Sequence, residues 1–265
     1  MYTQNHTSRL SSHDAATGST TPARVPRLSD EKWEKFAQEN PYHYILTSLK
    51  SSSTSEFWLS GERTIQREFL PLLELHDVPA DLCLELGCGI GRLAVPLARH
   101  FRQVAGVDIA PGMIQRATSY AHDNGVRNIS YAAISGPEDA LHKLQNLAGR
   151  CNFIYSLLVF QHIADFSIID GYLRLIRALL HPRGLAYLQF DTRSQGFAYS
   201  VKTRLPDWLL PPLWRRGIRR IRCSPEDIDM SILNAALEIV GELTPHTAYH
   251  RYILRLSPSG REGAQ

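Results

Sequence analysis

The sequence predicts an α/β fold, a doubly wound mixed sheet of seven strands, on three observations. From residue 81 onward, short apolar runs alternate five times with longer segments of helical period. A glycine-rich stretch, LELGCGIGR (84–92), follows directly on the first of those runs. After a Pro, Trp and Arg-rich interlude, the chain closes on two strand-like runs joined by a short turn containing Pro245. Strands that alternate with helices pair in parallel, because a parallel crossover is itself usually a helix and covers a sheet face. A closing hairpin adds an antiparallel edge.

In chain order, the apolar runs place strands at Leu82–Leu86, Val104–Asp108, Ile129–Ile134, Phe153–Leu157 and Leu185–Phe190, then Leu237–Leu243 and Tyr249–Leu256. The helical period predicts helices over Gly91–Phe101, Pro111–Asn124, Pro137–Leu147, Phe166–Leu180 and Pro225–Leu237. Residues 81–256 form the main domain, and 29–80 are expected to add a helical cap. An insertion at 192–224 follows the fifth strand as a lid. The ends, 1–28 and 257–265, are polar with few large apolar side chains, too few to offset the entropy of ordering, and are expected to be disordered.

Composition narrows the function. With 265 residues and 43% hydrophobic content the chain can bury a full core. Its net charge of +3 is too mild to imply a nucleic-acid partner. No apolar run approaches the roughly 18 residues of a membrane span, and MYTQNHTSRL lacks the apolar segment of a signal peptide, so a cytoplasmic protein without stable membrane insertion is expected. Cys83, Cys88, Cys151 and Cys223 form no paired motif and no cluster with histidine, which indicates reduced thiols and no metal site. The nucleophile-elbow pattern of serine hydrolases is absent from the sequence.

Ligands of such sheets lie beyond the carboxyl ends of the strands, at the switch point beside the first strand. The glycine stretch sits there. Gly87 and Gly89 start a dinucleotide fingerprint, but its third glycine position holds the bulky Arg92, which counts against a NAD-dependent oxidoreductase. What stands instead is Glu85-x-Gly87-x-Gly89-x-Gly91, with Asp108 ending the second strand where a carboxylate meets ribose hydroxyls. That spacing suits a nucleoside without a pyrophosphate.

These residues resemble the class I S-adenosylmethionine-dependent methyltransferases of the bacterial small-molecule type. The resemblance runs through CLELGCGIGRLAVPLARHF, VAGVDIAPGMIQRA, NFIYSLLVFQHI and LIRALLHPRGLAYLQF, across roughly residues 81–191. It implies a Rossmann-like methyltransferase fold with S-adenosylmethionine as cofactor. Gly87, Gly89 and Gly91 would take the methionine end on the backbone, with Glu85 and Cys88 in the same loop. Asp108 would meet the ribose, Ile109 and Met113 the adenine, and Leu157 would lie beneath. Ser135 and Gly136 occupy the place where the family usually puts a polar contact to the adenine amine.

Upstream, ENPYHYILT and EFWLSGERTIQREFL look like the leading helices of the same group. Tyr44, Phe57 and Trp58 either pack such helices onto the sheet or seal the cleft over substrate. Methyl transfer from a sulfonium needs mainly proximity and orientation, with a base for some nucleophiles. His162, after the fourth strand, is the candidate base, since an unperturbed imidazole titrates near 6.5; bracing the loop or positioning substrate are its other roles. Gln161, Asp191 and Arg193 share that rim by position. In RLPDWLLPPLWRRGIRRIR (204–222), Trp214, Arg215 and Arg216 suit a lid that holds an acidic group, a solvated arginine face, or a membrane-surface helix.

The expected function is methyl transfer to a small molecule, acidic or aromatic, of secondary metabolism. A nucleic-acid substrate is disfavoured because Ser156-Leu157-Leu158 stands where an Asn/Asp-Pro-Pro-aromatic stretch would hold a base. Binding of S-adenosylmethionine without transfer is the alternative from another class.

Overall fold

A computed structural model of the chain describes residues 28–45, 54–211 and 220–258. The polar ends expected to be disordered lie outside these residues, apart from Leu28, Ser257 and Pro258. Seven strands form one sheet in the order β3-β2-β1-β4-β5-β7-β6. They are β1 (Leu82–Leu86), β2 (Gln103–Asp108), β3 (Ile129–Ala133), β4 (Cys151–Ser156), β5 (Leu180–Phe190), β6 (Leu237–Leu243) and β7 (His250–Leu256). The first five run parallel, and β7 pairs antiparallel with both β5 and β6.

The sheet is covered on both faces, and the period of two along each strand decides which face a residue serves. Leu82, Leu84 and Leu86 pack in one core with Ile154, Leu173 and Leu188 beneath α8 (Phe166–Leu179) and α10 (Pro225–Asn234). Cys83 and Tyr155 join the opposite core with Phe69, Phe153 and Tyr187. α8 begins where the Asp165 carboxylate accepts the Ser167 N–H, and it buries Ile169, Leu173 and Ile176 at helical spacing.

Helices precede the sheet as well. α1 (Leu28–Glu39), α2 (Pro41–Ile45) and α3 (Thr54–Thr64) lead through a π-helical stretch, Ile65–Phe69, into α4 (Leu70–Leu75). Phe36 and Ala37 of α1 and Phe57 of α3 form a third core with Ile90, Ala110 and Met113, so the cap packs directly on the glycine loop and on the start of α6 (Pro111–Asp123).

Most predicted boundaries hold within a few residues. The helix expected over Gly91–Phe101 shrinks to α5 (Ala94–Leu97), because Gly91, at φ +86°, lies outside the helical region, and turns tighten after Leu97, with the Arg99 and His100 N–H groups reaching the carbonyls of Pro96 and Leu97. The α7 helix (Pro137–Lys143) likewise ends early and gives way to a 3₁₀ turn, Gln145–Leu147. Beyond β5, α9 (Phe197–Arg204) and a 3₁₀ turn, Asp207–Leu209, occupy the described part of the insertion.

Candidate active site

The sheet order reverses between β1 and β4, and the loops leaving β1, β2, β4 and β5 converge there. The N–H groups of Gly87 and Cys88 both donate to the Val107 carbonyl, at 2.8 and 3.0 Å, which fastens the glycine loop to the end of β2. Gly87 has φ +75°, and a Cβ there would stand 2.3 Å from Val159 Cγ2. At Gly91 the hydroxyl of Tyr131 would lie 2.6 Å from a Cβ. Ile45 Cδ1, from α2, closes on Gly89. The loop is bare because its backbone needs positive φ and because protein side chains press on it from several directions.

Asp108 carries the loop's electrostatics. Its Oδ2 accepts the Gly89 N–H at 2.8 Å and its Oδ1 the Ala110 N–H at 3.0 Å. Burial pushes this carboxyl up from the ordinary aspartate range, against the pull of those backbone donors. The group is half-buried, and with the Gly89, Ile109 and Ala110 N–H groups on its two oxygens it keeps acceptor capacity for a further donor. This donor and acceptor set fits the vicinal hydroxyls of a ribose.

Glu85, expected to meet the cofactor, acts from below the loop. It is 4% exposed and its Oε2 accepts the Tyr155 hydroxyl at 2.9 Å, on the β1 face opposite Leu84. Burial raises its carboxyl to about 8. Arg92, 7% exposed, sits in the same layer, where burial lowers its pKa and Glu85 opposes that. Its Nη1 donates to Ser60 Oγ at 3.2 Å, and its guanidinium faces the Phe57 ring at 6.0 Å. A Cβ at Gly61 would stand 2.2 Å from the Arg92 carbonyl oxygen, so α3 lies against the loop backbone. At the third-glycine position this arginine is a strut between loop and cap. Cys88 is buried, and desolvation raises its thiol well above the usual range, which leaves it a packing residue.

The cap aromatics are core residues. Phe57 is fully buried, edge-on to Tyr42, and Trp58 stacks on Tyr120 of α6 at 3.5 Å and 6°. Phe57 packs inside the cap core, and the half-buried Trp58 has one ring face covered by Tyr120. Tyr44 lies on α2, and its side chain falls outside the described residues. Met113 is buried in the cap core, while Ile109 is half-buried and packs on the sheet core that holds Leu84 and Leu86. Glu34 of α1 accepts the Gly112 N–H at 2.9 Å, a charge at the amino end of α6 that sequence reading missed.

On the acceptor side, His162 ends a 3₁₀ turn, Phe160–His162, half-buried with its ring edge-on to Trp33 at 5.3 Å. Its Nε2 lies 3.2 Å from Gln161 Nε2, and Gln189 Nε2 donates to Gln161 Oε1 at 3.3 Å. The Gln161 carbonyl accepts the Ile221 N–H at 2.6 Å. Gln161, expected to touch substrate, is a buried brace behind His162. Asp191 and Arg193, also expected at substrate, are spent on each other: Asp191 is fully buried and takes Arg193 Nε at 2.9 Å and Nη2 at 2.6 Å.

Leu157 is half-buried, and Leu158 beside it holds φ +64°, a strained value for leucine that aims Val159 over Gly87. Ser135 is exposed and its N–H donates to Asp139 Oδ2 at 2.8 Å, with Gly136 buried next to it. Trp214, Arg215 and Arg216 lie outside the described residues. Trp33 and Tyr131 carried no motif that marked them, and Ile45 and Val159 lie in quoted segments but were not singled out, because each reaches the site from a distant part of the chain.

The methyltransferase-domain family model matches residues 57–224. A ubiquinone biosynthesis O-methyltransferase of Azorhizobium caulinodans is 32% identical over 180 residues, 68% of this chain and 65% of that protein. The chain thus spans just under two thirds of that relative. A 23S rRNA (uracil(1939)-C(5))-methyltransferase of Photobacterium angustum is 39% identical over 113 residues, 42% of this chain and 51% of the other. Among solved structures, magnesium protoporphyrin IX methyltransferase from Synechocystis PCC 6803 with bound SAH aligns at TM-score 0.57 and 18% identity, covering 85% of this chain and 97% of that one. The [4+2]-cyclase SpnF aligns at TM-score 0.56 and 14% identity, covering 82% and 76%.

Proposed function

From a chain that belongs to the class I S-adenosylmethionine-dependent methyltransferase family, we propose methyl transfer to an oxygen of a small aromatic or acidic acceptor. The observation that carries this reading is His162, a half-buried imidazole at the end of the β4 loop, braced by Gln161 and Gln189 at the switch point. S-adenosylmethionine, when bound, supplies a methyl group on a sulfonium whose leaving group is neutral. Asp108 would hold the ribose hydroxyls and the Gly87–Gly91 backbone the methionine end, with Ile109 and Met113 toward the adenine.

The chain's own task is then to bring an acceptor oxygen into line and to take its proton. Holding reactants in a near-attack geometry contributes ~7 kcal/mol or more, and a positioned base typically adds about a hundredfold. Neutral imidazole would take the proton of a phenolic hydroxyl through Nε2 once that nitrogen exchanges the Gln161 amide for the acceptor, whereas a carboxylic acceptor is already ionised and needs no base. The O-methyltransferase relatives support an oxygen acceptor. A second reading, cofactor binding without transfer, rests on the same glycine loop and Asp108 contacts.

Incubation with methyl-labelled S-adenosylmethionine and a panel of catechols and phenolic acids, with rRNA alongside, separates these. Label in a phenol or acid, lost in His162→Ala, supports the proposal. Label in rRNA alone contradicts it, as does retained cofactor with no S-adenosylhomocysteine formed from any acceptor.

A further inference from the structure

Helix α1 touches both halves of the cleft. On the cofactor side the Glu34 carboxylate accepts the Gly112 N–H, and a Cβ added at Gly112 would stand 3.1 Å from the Ala37 Cβ, so the middle of α1 is seated on the first turn of α6. Trp33, the residue before Glu34, reaches the acceptor side, where its ring stands edge-on to His162 with centroids 5.3 Å apart and planes at 70°. Phe36 backs the indole at 5.6 Å and 89°, and Phe36 is itself buried in the third core with Ile90 and Met113.

The imidazole needs such a wall. His162 ends a three-residue 3₁₀ turn and the backbone is extended again at Ile163, so the chain fixes the root of the ring, and its two side-chain torsions are set by what packs against it. The Gln161 amide meets one nitrogen only, and that contact is given up when an acceptor takes its place. The Trp33 contact is made by the ring itself and persists through that exchange. We propose that Trp33 is a positioning residue for His162, through which the seating of α1 on the cofactor half holds the imidazole in its working orientation.

The coupling runs from cofactor to base. A cofactor held by Asp108 and flanked by Ile109 and Met113 would lie against the stretch on which α1 is seated, so its binding firms α1 and, through Trp33, the imidazole. The kinetic consequence rests on His162 acting as the base, whereas the coupling itself can be read without turnover.

Diethyl pyrocarbonate acylates a neutral imidazole nitrogen, and peptide mass spectrometry reads its rate at His162 alone. Saturating S-adenosylhomocysteine should slow that modification about threefold or more in the natural chain. In Trp33→Leu the rate without ligand should rise about threefold or more and respond little to S-adenosylhomocysteine, while Trp33→Phe, which keeps an aromatic ring, should stay within about twofold of the natural chain in both states. Calorimetric binding of S-adenosylhomocysteine checks that each variant is folded, and Trp33→Met replaces the leucine variant if that one does not bind. Equal protection in the natural chain and in Trp33→Leu overturns the proposal, as does no protection of the natural chain. With a phenolic acceptor, Trp33→Leu should lower kcat about three- to tenfold with KM within about twofold, and should add no loss to His162→Ala. A raised KM at unchanged kcat would make Trp33 a wall for the acceptor and overturns the positioning role, as do additive losses. Full turnover by His162→Ala would remove the base reading alone, since protection of His162 still decides what Trp33 does.

Discussion

The two halves of the cleft are held together differently. On the cofactor half, the backbone hydrogen bonds run between neighbours in the sheet: the glycine loop hangs on Val107 and Asp108 by N–H groups of three consecutive residues. The acceptor half is gathered from afar. His162 meets Trp33 of the cap, and Gln161 meets Gln189 and Ile221. A binding floor common to many proteins can be written in one short segment, whereas a surface particular to one acceptor is assembled from loops that vary.

Substitutions sharpen that contrast, beginning with the floor. Gly91→Ala should destabilise the fold by about 2–4 kcal/mol, since a Cβ meets both an unfavourable φ and the Tyr131 hydroxyl. In a Tyr131→Phe background the steric share should vanish and the backbone share remain, which a double-mutant cycle by chemical denaturation reads directly. Additive costs would mean that Tyr131 does not fill the space under the loop.

On the acceptor half, His162→Ala should lower turnover about a hundredfold while cofactor affinity stays near normal, with partial recovery at high pH. Gln189→Leu should cut turnover less, by roughly tenfold, and shift the pH profile, because it loosens the brace and leaves the imidazole in place. Steady-state kinetics against pH separates the two roles.

A third prediction concerns the layer beneath the loop. Glu85 has a folded-state pKa of about 8, raised by burial above its unfolded value of 4.5. The folded state therefore holds this proton more tightly than the unfolded chain, and stability falls as pH rises between those two values, then levels off. The Tm should drop from pH 6 to pH 8.5 in the natural chain and drop less in Glu85→Gln. Identical slopes would place the titration elsewhere. The smallest effect is expected at Arg193, whose exposed guanidinium serves Asp191: Arg193→Lys should leave KM within about twofold.

How much of this the sequence disclosed follows the same division. β1 and β6 lie on their predicted residues and the other strands within two, apart from β5, which starts at Leu180, five residues before its predicted start; apolar runs fix the strand centres better than their ends. The juxtaposition of Asp108 with the glycine loop was legible because its geometry is local. Phe57 and Trp58 could not be separated into packing or substrate roles, since an aromatic on a helix looks alike in either until its partner is known, here Tyr42 or Tyr120. Glu85 looked like a ligand because it stands in the motif, and only the alternation of β1 shows that it shares the face of Cys83 and Tyr155. Val159 and Ile45 reach the loop over 72 and 44 residues respectively, distances in sequence that no short motif encodes.

The central claim is that the cofactor half is complete, with Asp108 as its charged contact. Calorimetric titration of S-adenosylhomocysteine into the natural chain and into Asp108→Ala tests it most directly. Loss of a charge-assisted hydrogen bond of ~1.5–3 kcal/mol predicts binding by the natural chain and an affinity weakened ten- to a hundredfold or more in the variant. Unchanged affinity in a folded Asp108→Ala protein, or no binding by the natural chain, would contradict it.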